Sequence, residues 1–296
     1  MDKKGFREYL ERKDCSLSTQ EEYILKTKRL LKWVGKEDVQ VTKTDILDYL
    51  EYLKPRNNNA TRAVILIAIR HYFTYLLEND CIITNPAAFL KIRGTQVKKL
   101  YHIYTSDDLE ELYDNFYYCY IRGYTPSKYT GKATEEHTKL AREKYFAMLG
   151  LLIHQGLHTN ELKNIKLDDV DLQKAKIKIS ASTQAAERTL PLKASQIGTL
   201  INYIQNINHC EYLFNFENQD PNHIIQHLRR LTKNIDRNFK SFRQIRASVI
   251  ANWLKTQGLR KTQYLAGHRN IHATEKYVPN NLENLIEDIT KHHPFL

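Results

Sequence analysis

The sequence predicts a mainly helical, α+β protein built from two domains. Across residues 1–93 apolar side chains recur every three to four positions, and no stretch alternates as a strand would. Further on, one pair of short alternating segments, Ala175 to Ser180 and Arg188 to Leu192, reads as a small antiparallel sheet. Between the two regions lies a short basic stretch, Lys91 to Lys99, holding Gly94 and the pair Lys98-Lys99, with the composition of a linker. At 296 residues the chain is long enough for two cores. The expected division is a helical front domain over 1–93, a linker over 94–104 and a mostly helical rear domain over 105–296.

In the front domain, Ser18 followed by Glu21 has the spacing of a capping box. Tyr23, Thr27, Leu30, Leu31 and Val34 then share a helical face, and Gly35 ends the run. Thr44 is the expected cap of a second helix carrying Ile46, Leu47, Leu50 and Leu53 and stopped at Pro55. A third helix is expected from about Thr61 to Glu78. Asn85-Pro86 breaks the pattern, and a short apolar helix through Phe89 to Ile92 is expected to follow.

The rear domain opens on Ser106-Asp107-Asp108, a helix start, with a helix through Phe116. Tyr117 to Thr138 is rich in Tyr, Gly, Lys and Thr without a period and reads as a long loop or insertion. Helices are then expected at Phe146 to Ile153 and, past Gly156, at Thr159 to Asn164. The hairpin turns through Ser182 to Glu187. Further helices follow at Gln196 to Gln205, Ile224 to Asn234, Gln244 to Lys255, Lys261 to Leu265 and Leu282 to Ile289. In the last of these, Leu282, Leu285, Ile286 and Ile289 form an apolar stripe that could dock on a second copy or on its own domain.

Composition narrows the classes of function. Charged residues are 27% and hydrophobic ones 42%, the balance of a globular chain rather than a disordered one. No run approaches the ~18 apolar residues of a membrane span, and Met1 to Lys13 is too polar for a secretory leader. Cys15, Cys81, Cys119 and Cys210 have no paired spacing, which argues against zinc and disulfides and fits a reducing cytoplasm. Forty-five Lys and Arg against 34 Asp and Glu give a net charge of +11. Such a balance suits a polyanionic partner, whose counterions it would displace, and equally a basic surface kept for solubility.

Chemistry concentrates near the end of the chain. Cleaving a phosphodiester without a metal takes an in-line nucleophile, cations on the phosphate oxygens, a proton acceptor and a proton donor. Arginine suits the cation role because its planar fork bonds two phosphate oxygens at once. In the run Leu265-Ala266-Gly267-His268 through Thr274 to Tyr277, and in Arg243-Gln244-Ile245-Arg246-Ala247-Ser248 upstream, these residue types recur in order. Taken singly they say little: Tyr277 is one of 19 tyrosines, and Arg243 and Arg246 stand one helical turn apart, as on any solvated face.

Taken together they resemble the tyrosine recombinase (phage integrase) family. Gly267-His268, Thr274 and Tyr277 are similar to its "LGH…T…Y" box, and Arg243 to Ser248 to its "HxLRH(T/S)" helix start. Gly156-Leu157-His158-Thr159-Asn160-Glu161-Leu162 looks like "GLRxxEL", Glu187 to Leu192 like "ER.vPL", and the helical front like the family's core-binding domain. What the resemblance implies is a site-specific recombinase, from the integrase or transposase of a mobile element. Tyr277 would attack a phosphate of double-stranded DNA and form a 3′-phosphotyrosyl link. Arg246, Arg243 and His268 would stabilise the pentavalent phosphorane, with His158 contributing more weakly. No metal, nucleotide or other cofactor would be needed. Partners would be DNA, three further copies in a homo-tetramer on paired sites, and an accessory DNA-bending protein.

Two positions depart from the family pattern. His158 stands where the first catalytic arginine is expected, and a histidine reaches less far and is only partly charged at neutral pH. The hairpin lysine that would protonate the leaving oxygen is absent from Ser182-Thr183-Gln184-Ala185-Ala186; Lys178, or Lys176 on the same face, is the nearest substitute. Each lost donor costs on the order of a hundred- to a thousandfold in rate. An alternative reading is therefore a DNA-binding relative that holds recombination sites without cutting. A further one is a basic protein that binds RNA or another protein through Tyr117 to Tyr129.

Overall fold

The computed structural model describes residues 1–94, 102–123, 132–182, 185–207, 210–214, 216 and 220–278. The fold is mostly helical with one small sheet, and the chain divides into two compact units, Met1–Lys99 and Leu100–Leu296.

Among the described residues the first unit is built from helices and holds no strand. Its opening helix α1 (Lys3–Arg12), which the charge-rich sequence did not announce, starts where the Asp2 carboxylate accepts the N–H groups of Lys4 and Gly5, both at 3.1 Å. It buries Phe6, Tyr9 and Leu10. Helix α2 (Leu17–Val34) is capped by Ser16 rather than by Ser18, and closes on Gly35, whose φ of +68° lets its N–H return to the Leu31 carbonyl. Thr42 and Asp45, rather than Thr44, form the capping box of α3 (Lys43–Tyr52). Helix α4 (Asn59–Glu78) is capped by Asn58 and runs through the middle of the unit, burying Ile69, Tyr72 and Phe73 completely. The helix expected through Phe89 to Ile92 is absent: residues 86–89 form a turn, and Phe89 is 95% exposed. Its run of apolar residues is too short to close helical hydrogen bonds without a cap.

In the second unit, Thr105 and Asp108 cap α5 (Ser106–Tyr117), which widens into a π-turn over Tyr118–Arg122. Helix α6 (Lys132–His154) begins well before the apolar run that predicts it. The expected loop over 117–138 is thus helical at both ends, while 124–131 fall outside the described residues. Lys132 to Thr138 is polar on every side and so carries no period, yet several of its residues favour helix intrinsically. Helix α7 (Thr159–Leu162) is one turn long.

The sheet has order β1-β2-β3, all antiparallel, with β1 (Val170–Asp171), β2 (Lys176–Ile179) and β3 (Arg188–Pro191). The first of these, two residues long, is too short to leave a pattern in the sequence. Ile177 pairs with Leu190 and Lys178 with Thr189, so Ile177, Ile179, Arg188 and Leu190 face the core while Lys176, Lys178 and Thr189 face solvent. Of the turn between β2 and β3, residues 183 and 184 lie outside the described set.

Helices α8 (Ala194–Gln205) and α9 (Pro221–Ile235) follow, the second opened by an Asp220 cap and by Pro221 in its first turn. Helix α10 (Phe242–Ala266) is broken at Gly258, whose φ of +73° and ψ of 172° are not helical, close to the expected division into two helices. A five-residue helix α11 (Ile271–Glu275) ends the described part. The core lies around α6, where Met148, Leu149 and Leu152 meet Ile177, Leu190, Phe214 and Ile245. Leu282 to Ile289 falls outside the described residues.

Candidate active site

Three segments of the second unit converge on one cleft of about 430 Å³. The turn into α7 brings His158 and Glu161, α10 brings Arg246, and the turn after α10 brings His268. Ile179, Ser180, Ala181, Ser182 and Ala185 of the hairpin form the facing wall.

Glycine makes two of these approaches possible. Gly156 adopts φ +56°, and a Cβ there would lie 2.9 Å from Val249. In that left-handed turn its carbonyl accepts Nη1 of Arg246 at 2.5 Å. Gly267, at φ +69°, closes α10, and a Cβ there would lie 2.4 Å from Nη1 of Arg188. The Ala186 N–H donates to the Gly267 carbonyl at 2.9 Å, and Ala185 bridges to His268, so the hairpin is stitched to the Gly-His turn.

Beneath the cleft lies a buried charge network. Arg188 donates both terminal nitrogens to the Glu161 carboxylate, at 2.8 and 3.1 Å, and its Nε to the Leu265 carbonyl at 2.9 Å. Burial raises the Glu161 carboxyl toward neutrality, but the Arg188 hydrogen bonds and the charges of Arg188 and Arg246 outweigh it and hold the group ionised. Glu161 also accepts the His158 N–H at 2.7 Å, which closes a capping box on α7. The Glu161–Arg188 pair therefore ties α7 to β3 and to the end of α10.

Arg246 sits above this pair. Its guanidinium, with 11% of the side chain exposed, donates to Gly156 O and, at 2.7 Å, to Ala266 O, and lies 3.5 Å from Glu161 Oε2. Burial lowers its basicity, while Glu161 and the nearby Tyr277 phenol favour the charged form. An arginine fixed on three sides and open on the fourth presents its remaining N–H groups to the cleft with little entropy left to lose.

Both cleft histidines are neutral. Burial, then the charges of Arg246 and Arg188, push His268 down to about 4. Its Nδ1 lies 2.8 Å from the hydroxyl of Thr274, a fully buried residue, which fixes the ring and leaves Nε2 for the cleft. Burial and Arg246 likewise lower His158. The Asn160 N–H donates to His158 Nδ1 at 3.2 Å, so the neutral ring carries its proton on Nε2.

Tyr277 follows α11 in a turn closed by its N–H to the Thr274 carbonyl at 3.0 Å. Its half-buried ring stacks on His268 with centroids 5.9 Å apart and planes 13° apart. Of the residues singled out from sequence, then, His158, Arg246, His268 and Tyr277 come together. Arg243 stands exposed one turn before Arg246 on α10, close enough for its charge to act on His158. Lys178 does not join them: it is on the solvent face of β2 and pairs with Glu187 at 3.3 Å, and Lys176 shares that face. Among the described residues no cluster of His, Cys, Asp or Glu is arranged to hold a metal, and no helix is long and apolar enough to cross a membrane.

The sequence reading left Glu161, Arg188 and Arg269 without a role. Glu161 and Arg188 each stand in a motif of the sequence, but pairing residues 27 positions apart takes the fold.

Residues 131–284 match the phage integrase family, and residues 4–83 match the phage integrase N-terminal SAM-like domain. The chain belongs to the phage integrase family. Among its relatives, tyrosine recombinase XerC of Natranaerobius thermophilus is 26% identical over 274 residues, covering 86% of this chain and 84% of that one. XerC of Listeria welshimeri is 24% identical over 271 residues, covering 86% and 83%. A probable integrase/recombinase of Acholeplasma phage L2 is 25% identical over 283 residues, covering 92% and 88%. In fold the chain is similar to the XerH recombinase bound to a palindromic difH substrate, with a TM-score of 0.69 at 15% identity over 94% of this chain and 80% of that one. A lambda integrase dimer bound to a core site gives a TM-score of 0.66 at 16% identity over 93% and 75%. Membership in the phage integrase family thus spans both units, and the cleft belongs to the unit that carries the 131–284 match.

Proposed function

We propose that this chain is a site-specific DNA recombinase serving a mobile element, with Tyr277 as its nucleophile. The observation that carries the reading is the convergence of Arg246, His158 and His268 on one cleft, from three separate segments, with Tyr277 stacked on His268. Phosphate would enter with one oxygen on the open side of Arg246 and another on the Nε2–H of His158. Arg243, exposed at the rim, would add the charge that a neutral His158 lacks. The phenol oxygen of Tyr277 would bond to phosphorus as the P–O5′ bond breaks, giving a 3′-phosphotyrosyl link. The phenol proton would pass to the neutral His268, and O5′ would take a proton from solvent. Because the linkage energy is kept in the phosphotyrosyl bond, a second 5′ hydroxyl could reverse the step on another strand without ATP. The net charge of +11 fits a duplex partner whose binding weakens steeply with salt.

Relatives in the family support the assembly expected here: lambda integrase is known as a tetramer bound to a Holliday junction, and XerH bound to its difH substrate. By analogy, four copies of this chain would act on two paired sites. The test is strand exchange between two labelled duplexes cut from the DNA flanking the gene. Recombinant duplexes of the predicted lengths, formed without ATP or metal, support the reading. Duplexes that are bound but never exchanged favour the relative that holds sites without cutting.

A further inference from the structure

The hairpin contributes no charged side chain to the cleft. Arg246 and Glu161 are the charged side chains that line it, whereas its hairpin residues, Ile179 to Ser182 and Ala185, offer hydroxyls, backbone and methyl groups. No residue from Ser182 to Ala186 is cationic, and Lys178 is held on the opposite face of the strand by Glu187. A phosphate held by Arg246 has two ends, the attacking and the leaving oxygen. With Tyr277 stacked on His268, the leaving oxygen must develop its charge elsewhere in the cleft.

One cation is docked on the neutral wall. Arg269 follows His268 directly, and its Nη2 donates to the Ser182 carbonyl at 2.6 Å. Ser182 lines the cleft, and Arg269, which is not itself among the lining residues, is tied to it through that carbonyl. Arg269 is exposed and, among the described residues, makes no ion pair, which leaves its other N–H groups for a ligand. The same turn is tied to the hairpin by the Ala186 N–H to the Gly267 carbonyl and by the Ala185–His268 bridge.

We propose that Arg269 is a further catalytic residue, which stabilises the leaving O5′ from the hairpin side of the cleft. The proposal rests on the recombinase reading above. As Tyr277 bonds to phosphorus, the electron pair of the P–O5′ bond passes to O5′, and the guanidinium holds that charge until solvent supplies the proton. A guanidinium is too weak an acid to give its own proton, so the role is electrostatic.

The test compares two nicked duplexes that differ in one atom, oxygen or sulfur at the 5′ bridging position of the scissile phosphate. A thiol is far more acidic than an alcohol, about 8.5 for cysteine against about 15.7 for water, so the sulfur leaves without help. Arg269→Gln keeps a donor for Ser182 and removes the charge, and Arg269→Lys keeps a charge. With oxygen, the Gln variant is expected to form the covalent complex on the order of a hundredfold more slowly, and the Lys variant to recover much of the rate. With sulfur, all three proteins are expected to react alike. Equal impairment of the Gln variant on both duplexes, or impairment on neither, overturns the role. If the unsubstituted protein cleaves neither duplex, the recombinase reading fails and this proposal with it.

Discussion

Arg188 and Glu161 meet through two parallel hydrogen bonds at 2.8 and 3.1 Å, with 0% and 8% of their side chains exposed. Every segment of the cleft leans on this pair. Glu161 caps α7 and faces Arg246, while Arg188 spans from β3 to the Leu265 carbonyl and fills the space above Gly267. Removing the carboxylate strands two buried guanidinium groups. Glu161→Ala is expected to destabilise the fold by about 3–5 kcal/mol, as for other broken buried ion pairs, measured as a drop in the urea midpoint. A loss under about 1 kcal/mol would show that solvent already screens the pair.

Gly267→Ala tests the space above Arg188. The new methyl meets the guanidinium at 2.4 Å and must also adopt φ +69°, which costs an L-residue roughly 1–2 kcal/mol before any clash. Urea unfolding should show at least that loss. A neutral substitution would mean that Arg188 can retreat.

Much of this was legible before the fold, and the exceptions share causes. The two strands of the hairpin, the break near Gly258 and the gathering of His158, Arg246 and His268, with Tyr277 stacked on His268, follow from local pattern and motif order. The caps of α2 and α3 were misplaced by two residues because Ser16 and Ser18, and Thr42 and Thr44, are equally suited by type. The choice falls to whichever residue leaves the helical conformation, and packing decides that. The front of α6 was hidden because a polar helix has no hydrophobic period. Lys178 was favoured by distance along the chain, but the pleat turns it to solvent.

Thr274→Val removes the hydroxyl that meets His268 Nδ1 at 2.8 Å and keeps the shape. A hydrogen bond contributes about 1 kcal/mol net, so formation of the covalent complex should slow roughly five- to tenfold, with duplex affinity unchanged. Gel-shift titration beside a cleavage time course separates the two effects. An equal loss in affinity would place the hydroxyl in binding rather than in orienting the ring.

Acid should weaken the fold from about the unfolded histidine value downward. His268 and His154 are both held down to about 4, and His158 is lowered, each first by burial. Since the unfolded chain takes up these protons near pH 6.5 and the folded chain resists to lower pH, to about 4 for His268 and His154, stability is full above 6.5 and falls as the pH drops through that window. The urea midpoint should decline across that window, and His268→Gln should make the decline shallower. A midpoint that is flat from pH 7 to 4.5 would contradict the burial of these rings.

The most direct measurement of the central claim is a covalent trap. The protein is incubated with nicked duplexes from the DNA flanking its gene, so that the cleaved strand end diffuses away, and is run on a denaturing gel beside Tyr277→Phe. A protein–DNA band that survives denaturation in the native sequence and vanishes in the Phe variant is the expected result. A band of equal strength from both proteins, or none from duplexes that the native protein demonstrably binds, would contradict the assignment of Tyr277 as nucleophile.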